Sequence, residues 1–596
     1  MKRALALAED ALVGLLLAAL VALPLYALVQ RVVFAAPTAA AIPLTQHANL
    51  LLAFAGASLA AREKKLLRLA TAEFLERSPR LRALMTPAAW VACATTGLLA
   101  RASFELVRYE REFPTDVAGL FPLWPLLCVL PLSFLGIGLR LAWTGELARW
   151  ARGVGLALLA GAFALGGGPL LGLGAGPGLV LLVLAAFLGA PLYVPLAGSA
   201  LLLFLAQGAP GDIYPGVAIP AEMLRLATQP FLPAIPLFTL TGMLLTEGAA
   251  LRLLAVFRAF FGWLPGGTAV VCAVLCAFFS VFTGGSGVTI LAVGLLLHRA
   301  LLADGYEERF SLGLVTGSGA LGILLPPALP LILFGIAAET PIEELFRGGI
   351  LPGALLIGLV SLHGMRAGLR ARLPRTPFAL APALRATWAA KFELALPLVT
   401  LGVIFSGIGT VLEAAAATVV YALLVQLVIH REIRIRELPR ILRESGALLG
   451  GVLIILCAAY GLSSWFVDAQ VPTRLLAWVQ GTVESRWAFL LALNGFLLVV
   501  GCFLDIYSAT FVIAPLLLEL GRAYGLDPVH LGILFIANLE LGYLTPPVGL
   551  NLFLASYRFE RPLFSVARAT LPMIGILGIG VLLITYVPWL TTVLAR

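Results

Sequence analysis

A seven-residue motif, Leu-Gly-x-Leu-x-Pro-Pro, occurs twice in this chain, as residues 321–327 and again as residues 541–547, 220 positions later. Both copies lie inside long apolar stretches. Gly and Pro break helices there, and hydrocarbon tolerates freed backbone groups only where the break is buried in protein or lines a cavity. Paired breaks at matching positions of two halves point to the central site of a carrier. The same offset relates Gly305 to Gly525, Leu351-Pro352 to Leu571-Pro572, and Gly358 to Gly578. One Pro-Pro pair could recur by chance. Several punctuation residues held at one offset mark a duplication.

The surroundings of the motif set the class of protein. The chain has 596 residues, 61% hydrophobic and 12% charged, with mean hydropathy +1.02. A soluble protein carries about 25% charged residues. With spans of ~20 residues, the length allows well over a dozen crossings. The expected fold is an all-α polytopic membrane protein. A β-barrel is excluded, because its strands alternate polar and apolar residues. The net charge of +9 does not imply nucleic-acid binding, since the basic residues cluster at span ends, where they set orientation. Met1-Lys2-Arg3 leads into an apolar segment at 12–34 with no clear small-residue cleavage site, which predicts a retained first helix.

Enzyme chemistry finds little support. The five histidines (47, 298, 363, 430 and 530) fall near predicted span ends. Gly284-Gly285-Ser286-Gly287 lacks the strand-turn-helix setting of a nucleophile elbow and carries no P-loop lysine, so ATP is not expected to drive the chain directly. Cys272 and Cys276 share a helix face without His or acidic company. They and the four other cysteines read as buried small apolar residues.

Three regions follow from the pattern. Residues 1–150 hold spans near 12–34, 43–61, 87–107 and 120–143. Arg62-Glu63-Lys64-Lys65 with Arg68, Arg77, Arg80 and Arg82 predicts a cytoplasmic interfacial helix after the second span, and so a cytoplasmic N-terminus. Arg140, Arg149 and Arg152 return the chain to that side. Residues 151–177 are apolar and Gly-rich and predict a fifth crossing. Residues 178–596 hold the two repeats, about 178–360 and 390–580. Basic segments at 363–375 and 430–443 also read as cytoplasmic. An odd number of crossings between equivalent points would make the repeats inverted, a common plan among secondary carriers.

Upstream of each Pro-Pro lies a polar interruption. The first is Phe282-Thr283-Gly284-Gly285-Ser286-Gly287-Val288-Thr289. The second is Phe503-Leu504-Asp505-Ile506-Tyr507-Ser508-Ala509-Thr510, with Asp505 at the position of Gly285. Each splits an apolar run into two short pieces, which suggests re-entrant helical hairpins. A hairpin tip frees carbonyls for a cation, while half-helix N-termini attract anions. Asp505 is the leading acidic candidate, because an ionisable group at membrane depth is costly and usually functional. Thr283, Ser286 and Thr289 are weaker individually, since Ser and Thr also serve helix packing. Thr545 and Asn551 are further oxygen donors. Glu413 and Glu540, also in apolar sequence, could be structural partners of a helix N-terminus or an Arg.

At these residues the chain resembles the membrane component of tripartite ATP-independent periplasmic (TRAP) transporters. The resemblance rests on Thr316–Gly319 running into the first motif, Glu413-Ala-Ala-Ala416, Leu526-Asp-Pro-Val-His530, and above all Asn538 to Asn551. Residues 1–150 look like the small subunit, so this would be a form with small and large subunits fused through 151–177. The resemblance implies an elevator-type, sodium-coupled importer in the bacterial inner membrane. A periplasmic substrate-binding protein would deliver a small organic acid, a carboxylate. Carried over by position, the sodium ligands would be Thr283, Gly284, Ser286, Gly319 and Gly322 on one side. On the other they would be Asp505, Thr545, Pro546 and Gly549. Ser286, Thr289, Ser318 and Asn551 would contact substrate. No organic cofactor is implied, membrane lipids surround the protein, and the fused form suggests a monomer. The competing readings are a stand-alone ion-coupled anion carrier without a binding protein, and an intramembrane enzyme acting on lipid carriers. The four-span N-terminal region argues against the first. The second needs a polar cluster at one membrane face that the sequence lacks.

Overall fold

The computed structural model describes residues 2–595 other than 36–39, 70–74, 76–81, 144–148, 167–174, 208–214, 246, 284, 374, 484, 505, 547 and 548. The described chain is helical almost throughout. The exception is a two-stranded antiparallel pair, Asp116–Val117 with Phe121–Pro122. Six helices among the described residues are long and apolar enough to cross a membrane, or eight if two bent helix pairs each count once. Six further apolar helices are shorter. The chain is a multi-pass membrane protein, as its composition requires.

Two compact units divide it: Met1–Pro236 with Leu438–Pro472, and Leu237–Glu437 with Thr473–Arg596. In the first unit, helices Lys2–Phe34, Ala41–Arg62 and Met85–Glu112 overlap the first three expected spans, while the fourth, 120–143, is divided into strand residues Phe121–Pro122 and helices Trp124–Leu127 and Val129–Ala142. The interfacial helix expected after Arg62 falls largely at 70–74 and 76–81, outside the described residues. Helix Arg149–Leu165 ends at Gly166, whose φ of +60° suits a residue without Cβ.

Small residues and partly buried ion pairs hold this unit together. Helix Ala41–Arg62 packs on Leu438–Asp468 through Gly56, Gly446 and Gly450. A Cβ on Gly450 would lie 1.9 Å from the Gly56 carbonyl carbon, so only glycine permits this crossing. At one end, Arg62 bonds Glu9 at 2.9 Å and also pairs with Asp10, while Arg140 pairs with Glu9 and bonds Ser58. The start of the first helix and the ends of the second and fourth therefore lie together, as their basic residues predict.

The second unit carries the duplication. The 220-residue offset maps helix Gly267–Thr283 onto Arg486–Phe503, Ser286–Ala303 onto Ile506–Ala523, and Glu308–Ser318 onto Pro528–Gly542. It then maps Leu329–Ala337 onto Leu550–Phe559, and Ile342–Arg370 onto Leu563–Tyr586. The matched glycines Gly305 and Gly525 both take positive φ, +92° and +68°, which explains why glycine recurs there. Packing between the copies is reciprocal. Ser286–Ala303 packs on Leu550–Phe559, and its counterpart Ile506–Ala523 packs on Leu329–Ala337. Likewise Glu308–Ser318 packs on Leu563–Tyr586, and Pro528–Gly542 on Ile342–Arg370. The two copies thus exchange equivalent contacts.

Candidate functional site

The first polar interruption separates helices Gly267–Thr283 and Ser286–Ala303, of 17 and 18 residues. Each is therefore about 26 Å long, short of the ~30 Å hydrocarbon core. Gly285 is extended and precedes Ser286 with no side-chain cap, so the first amides of the second helix are left for other partners. The first motif begins where helix Glu308–Ser318 stops, and the chain turns through 319–328 before helix Leu329–Ala337.

These two stretches pack against each other backbone to backbone. A Cβ on Gly322 would lie 2.1 Å from the Ala277 carbonyl oxygen, and one on Gly319 would lie 3.0 Å from that of Ser286. Ser280 Oγ bridges them, 2.6 Å from the Gly319 carbonyl oxygen and 2.9 Å from Thr289 Oγ1. Ser286 Oγ donates to Asn551 Oδ1 at 2.9 Å, across 265 residues of sequence. Ser286, Thr289, Ser318 and Asn551 are all buried. Ser318 Oγ and Asn551 Nδ2 have no hydrogen-bond partner among the described residues. Beside Ser286 lies Glu540, 6% exposed, whose carboxyl oxygens accept no hydrogen bond of ordinary geometry there.

The second motif forms its own turn. Thr545 Oγ1 caps back onto the Leu541 carbonyl at 2.9 Å, while the Thr545 carbonyl accepts from Cys502 Sγ at 3.2 Å. The Gly549 amide donates to the Cys502 carbonyl at 3.1 Å. Gly549 has φ +45°, and a Cβ there would lie 2.9 Å from the carbonyl oxygens of both Thr545 and Tyr543. Carbonyl oxygens are thus crowded around a backbone position that only glycine occupies without strain. Pro546 is exposed on the same turn.

Ser286, Thr289, Gly319, Gly322 and Asn551 are therefore brought together, and Thr545, Pro546 and Gly549 share the second turn. Gly284 and Asp505 lie outside the described residues, as does the Thr283 side chain. Sequence reasoning missed Ser280, a serine inside an apolar helix that reads as packing. It also missed Cys502, whose thiol and carbonyl anchor the second turn. Two acidic residues act as helix caps, and for Glu413 this is the structural role its apolar setting allows. Glu413 and Thr410 form a capping box, with the Thr410 amide 2.7 Å from Glu413 Oε2. Asp527 caps helix Pro528–Gly542 through the amides of Val529 and His530. The site is an array of hydroxyl, amide and carbonyl oxygens, the ligand type that suits a hard cation.

The family described as tripartite ATP-independent periplasmic transporter, DctM component, matches residues 179–590. The C4-dicarboxylate TRAP transporter large permease protein DctM of Pseudomonas aeruginosa is 36% identical over 362 residues, covering 60% of this chain and 84% of that one. The isethionate TRAP transporter permease protein DctMQ of Oleidesulfovibrio alaskensis is 30% identical over 519 residues. It covers 82% of this chain, more than residues 179–596 alone could supply, and 77% of its own. The ectoine TRAP transporter large permease protein TeaC of Halomonas elongata is 32% identical over 412 residues, 67% of this chain and 94% of that one. Among solved structures, the Alcanivorax borkumensis YdaH transporter aligns with 69% of this chain and 98% of its own at 16% identity and TM-score 0.47, too slight a likeness to carry an inference.

Proposed function

The chain belongs to the tripartite ATP-independent periplasmic transporter family, as a fused small and large membrane subunit, and on that premise we propose that it is a sodium-coupled importer of small organic acids. A periplasmic substrate-binding protein delivers the acid at the outer face of the inner membrane. The observation that carries this reading is the joining of the two repeats at Ser286 and Asn551, amid oxygen donors that are buried and partly without partners. Sodium takes neutral carbonyl and hydroxyl oxygens readily, and buried donors left unsatisfied cost free energy until a ligand arrives.

The first cation site consists of Thr283, Gly284, Ser286, Gly319 and Gly322. Its backbone carbonyls are presented by the broken helices, and Ser280 holds the Gly319 carbonyl in place. The second consists of Asp505, Thr545, Pro546 and Gly549, with the Asp505 carboxylate as its one formal charge. Ser286, Thr289, Ser318 and Asn551 contact the carried acid, whose carboxylate meets the start of helix Ser286–Ala303, where no side chain caps the helix. Coupling follows from geometry: cation binding orders the same turns that present the substrate donors. The two tips then move together as one body, an elevator motion supported by their reciprocal packing.

The deciding experiment is uptake into liposomes by the full chain with its cognate binding protein, against a panel of organic acids. Uptake should require an inward sodium gradient and ignore ATP. Equal uptake with potassium alone would remove the sodium assignment. Spin labels at Gly285 and Asp505 should hold a constant separation between inward- and outward-facing states. A change of a helix turn or more, ~5 Å, would replace the elevator with local gating.

A further inference from the structure

Away from the transport site, the second unit has an open pocket of about 550 Å³ between the start of helix Glu308–Ser318 and the start of helix Leu563–Tyr586. Three arginines line it, Arg309, Arg561 and Arg568, against a single acid, Glu308. Arg561 pairs with Glu308. Arg309 Nη2 donates to the Arg568 carbonyl at 3.3 Å, and the Arg568 guanidinium lies 4.6 Å from the centre of the Phe564 ring. Neither Arg309 nor Arg568 has a carboxylate within ion-pair distance among the described residues. The pocket therefore holds two positive charges in excess.

Its position in the membrane follows from its neighbours. The Phe310 ring, one residue past Arg309, lies 5.5 Å from the His363 ring. His363 opens the basic segment 363–375, which marks the cytoplasmic side. Toward the bilayer interior the pocket continues into an apolar stripe on helix Leu563–Tyr586. Phe564, Leu571, Ile579 and Leu582 are 68%, 54%, 57% and 43% exposed. Their spacing of 7, 8 and 3 residues puts them on one helix face, and Arg568 lies on the same face.

We propose that this pocket binds the headgroup of an anionic phospholipid of the cytoplasmic leaflet, with its acyl chains along the stripe below. An anionic headgroup balances the excess charge, and Arg suits phosphate because its planar fork bonds two oxygens at once. A basic pocket beside membrane helices on the cytoplasmic side is the setting in which such headgroups are recognised. A free anion accounts for the arginines but not for the apolar stripe that extends from them.

The test uses native mass spectrometry of the full chain released from nanodiscs of mixed phosphatidylcholine and phosphatidylglycerol. The wild-type protein should retain phosphatidylglycerol in preference to phosphatidylcholine, and the preference should weaken as salt is raised. Each exposed arginine is worth roughly fivefold in affinity, so the double variant Arg309→Gln/Arg568→Gln should lose about 25-fold. Arg309→Lys/Arg568→Lys should retain most of the preference, which also covers the case in which the Gln pair fails to fold. No phosphatidylglycerol preference in the wild type, or one insensitive to salt, overturns the proposal. Equal retention by the Gln pair overturns it as well. A free-anion site is distinguished with inorganic phosphate and succinate in phosphatidylcholine-only nanodiscs. If either displaces phosphatidylglycerol at millimolar concentration and protects the wild type from thermal unfolding as well as the lipid does, the pocket is an anion vestibule and the lipid assignment is wrong.

Discussion

Replacing Gly322 by alanine tests whether the proposed first cation site depends on contact between backbones. The new Cβ would lie 2.1 Å from the Ala277 carbonyl oxygen and 2.7 Å from Ser280 Cβ. Ordinary carbon–oxygen contact begins near ~3.3 Å, so the turn and helix Gly267–Thr283 must separate by about 1.2 Å. The obstructing atom is main-chain oxygen inside a helix, and no rotamer change relieves it. That separation carries the 2.6 Å bond between Ser280 and the Gly319 carbonyl beyond hydrogen-bond range. Overpacking costs about 1–3 kcal/mol and the lost bond about 1 kcal/mol, together about 2–4 kcal/mol. Gly358→Ala is the matched control. It too lies in an apolar stretch, but nothing is within 4 Å of its added Cβ. In mid-helix that change stabilises by up to about 1 kcal/mol. Thermal unfolding of purified protein at one scan rate should therefore move in opposite directions for the two variants. In liposomes Gly322→Ala should raise the sodium concentration for half-maximal uptake, while Gly358→Ala should not. If Gly322→Ala melts no lower than Gly358→Ala and keeps wild-type sodium dependence, close backbone contact does not build this site.

Asp505→Asn should leave the fold intact and raise the sodium requirement, because it removes the only formal charge assigned to the second site; an unchanged sodium titration returns Asp505 to a structural role. Glu413→Ala should cost about 1 kcal/mol of stability through loss of its capping box without changing sodium dependence, and altered ion coupling would contradict its assignment as a cap. Gly549→Ala forces a side chain into φ +45° against two carbonyl oxygens, at about 1–3 kcal/mol, and uptake should fall with it; wild-type uptake would show that this turn is not constrained. A cysteine at Lys65 should react with an impermeant reagent only from the cytoplasmic side, and periplasmic labelling would invert the orientation of the first region.

Hydropathy and punctuation are local properties, and they carried far. Long apolar runs are incompatible with a soluble fold, so the membrane class follows from residue order alone. The 220-residue offset was visible because a helix break needs Gly or Pro wherever it occurs, and a left-handed turn needs glycine at both Gly305 and Gly525. The helices that follow at the same offset, such as Ser286–Ala303 and Ile506–Ala523, were therefore implicit in the punctuation. Tertiary structure decided which oxygens meet. Ser280 looks like any serine in an apolar helix until the Gly319 carbonyl folds back against it. The bond between Ser286 and Asn551 spans 265 residues, and no local pattern records such a pairing. The same limit explains Glu413 and Glu540, two acids in similar apolar sequence. One closes a helix end within three residues of itself, whereas the other is buried beside Ser286, with no hydrogen bond of ordinary geometry to its carboxyl oxygens among the described residues. Local sequence specifies where the chain breaks, because breaking depends on backbone chemistry at one residue. Only packing specifies what the broken ends face, because that depends on both repeats arriving at the same place.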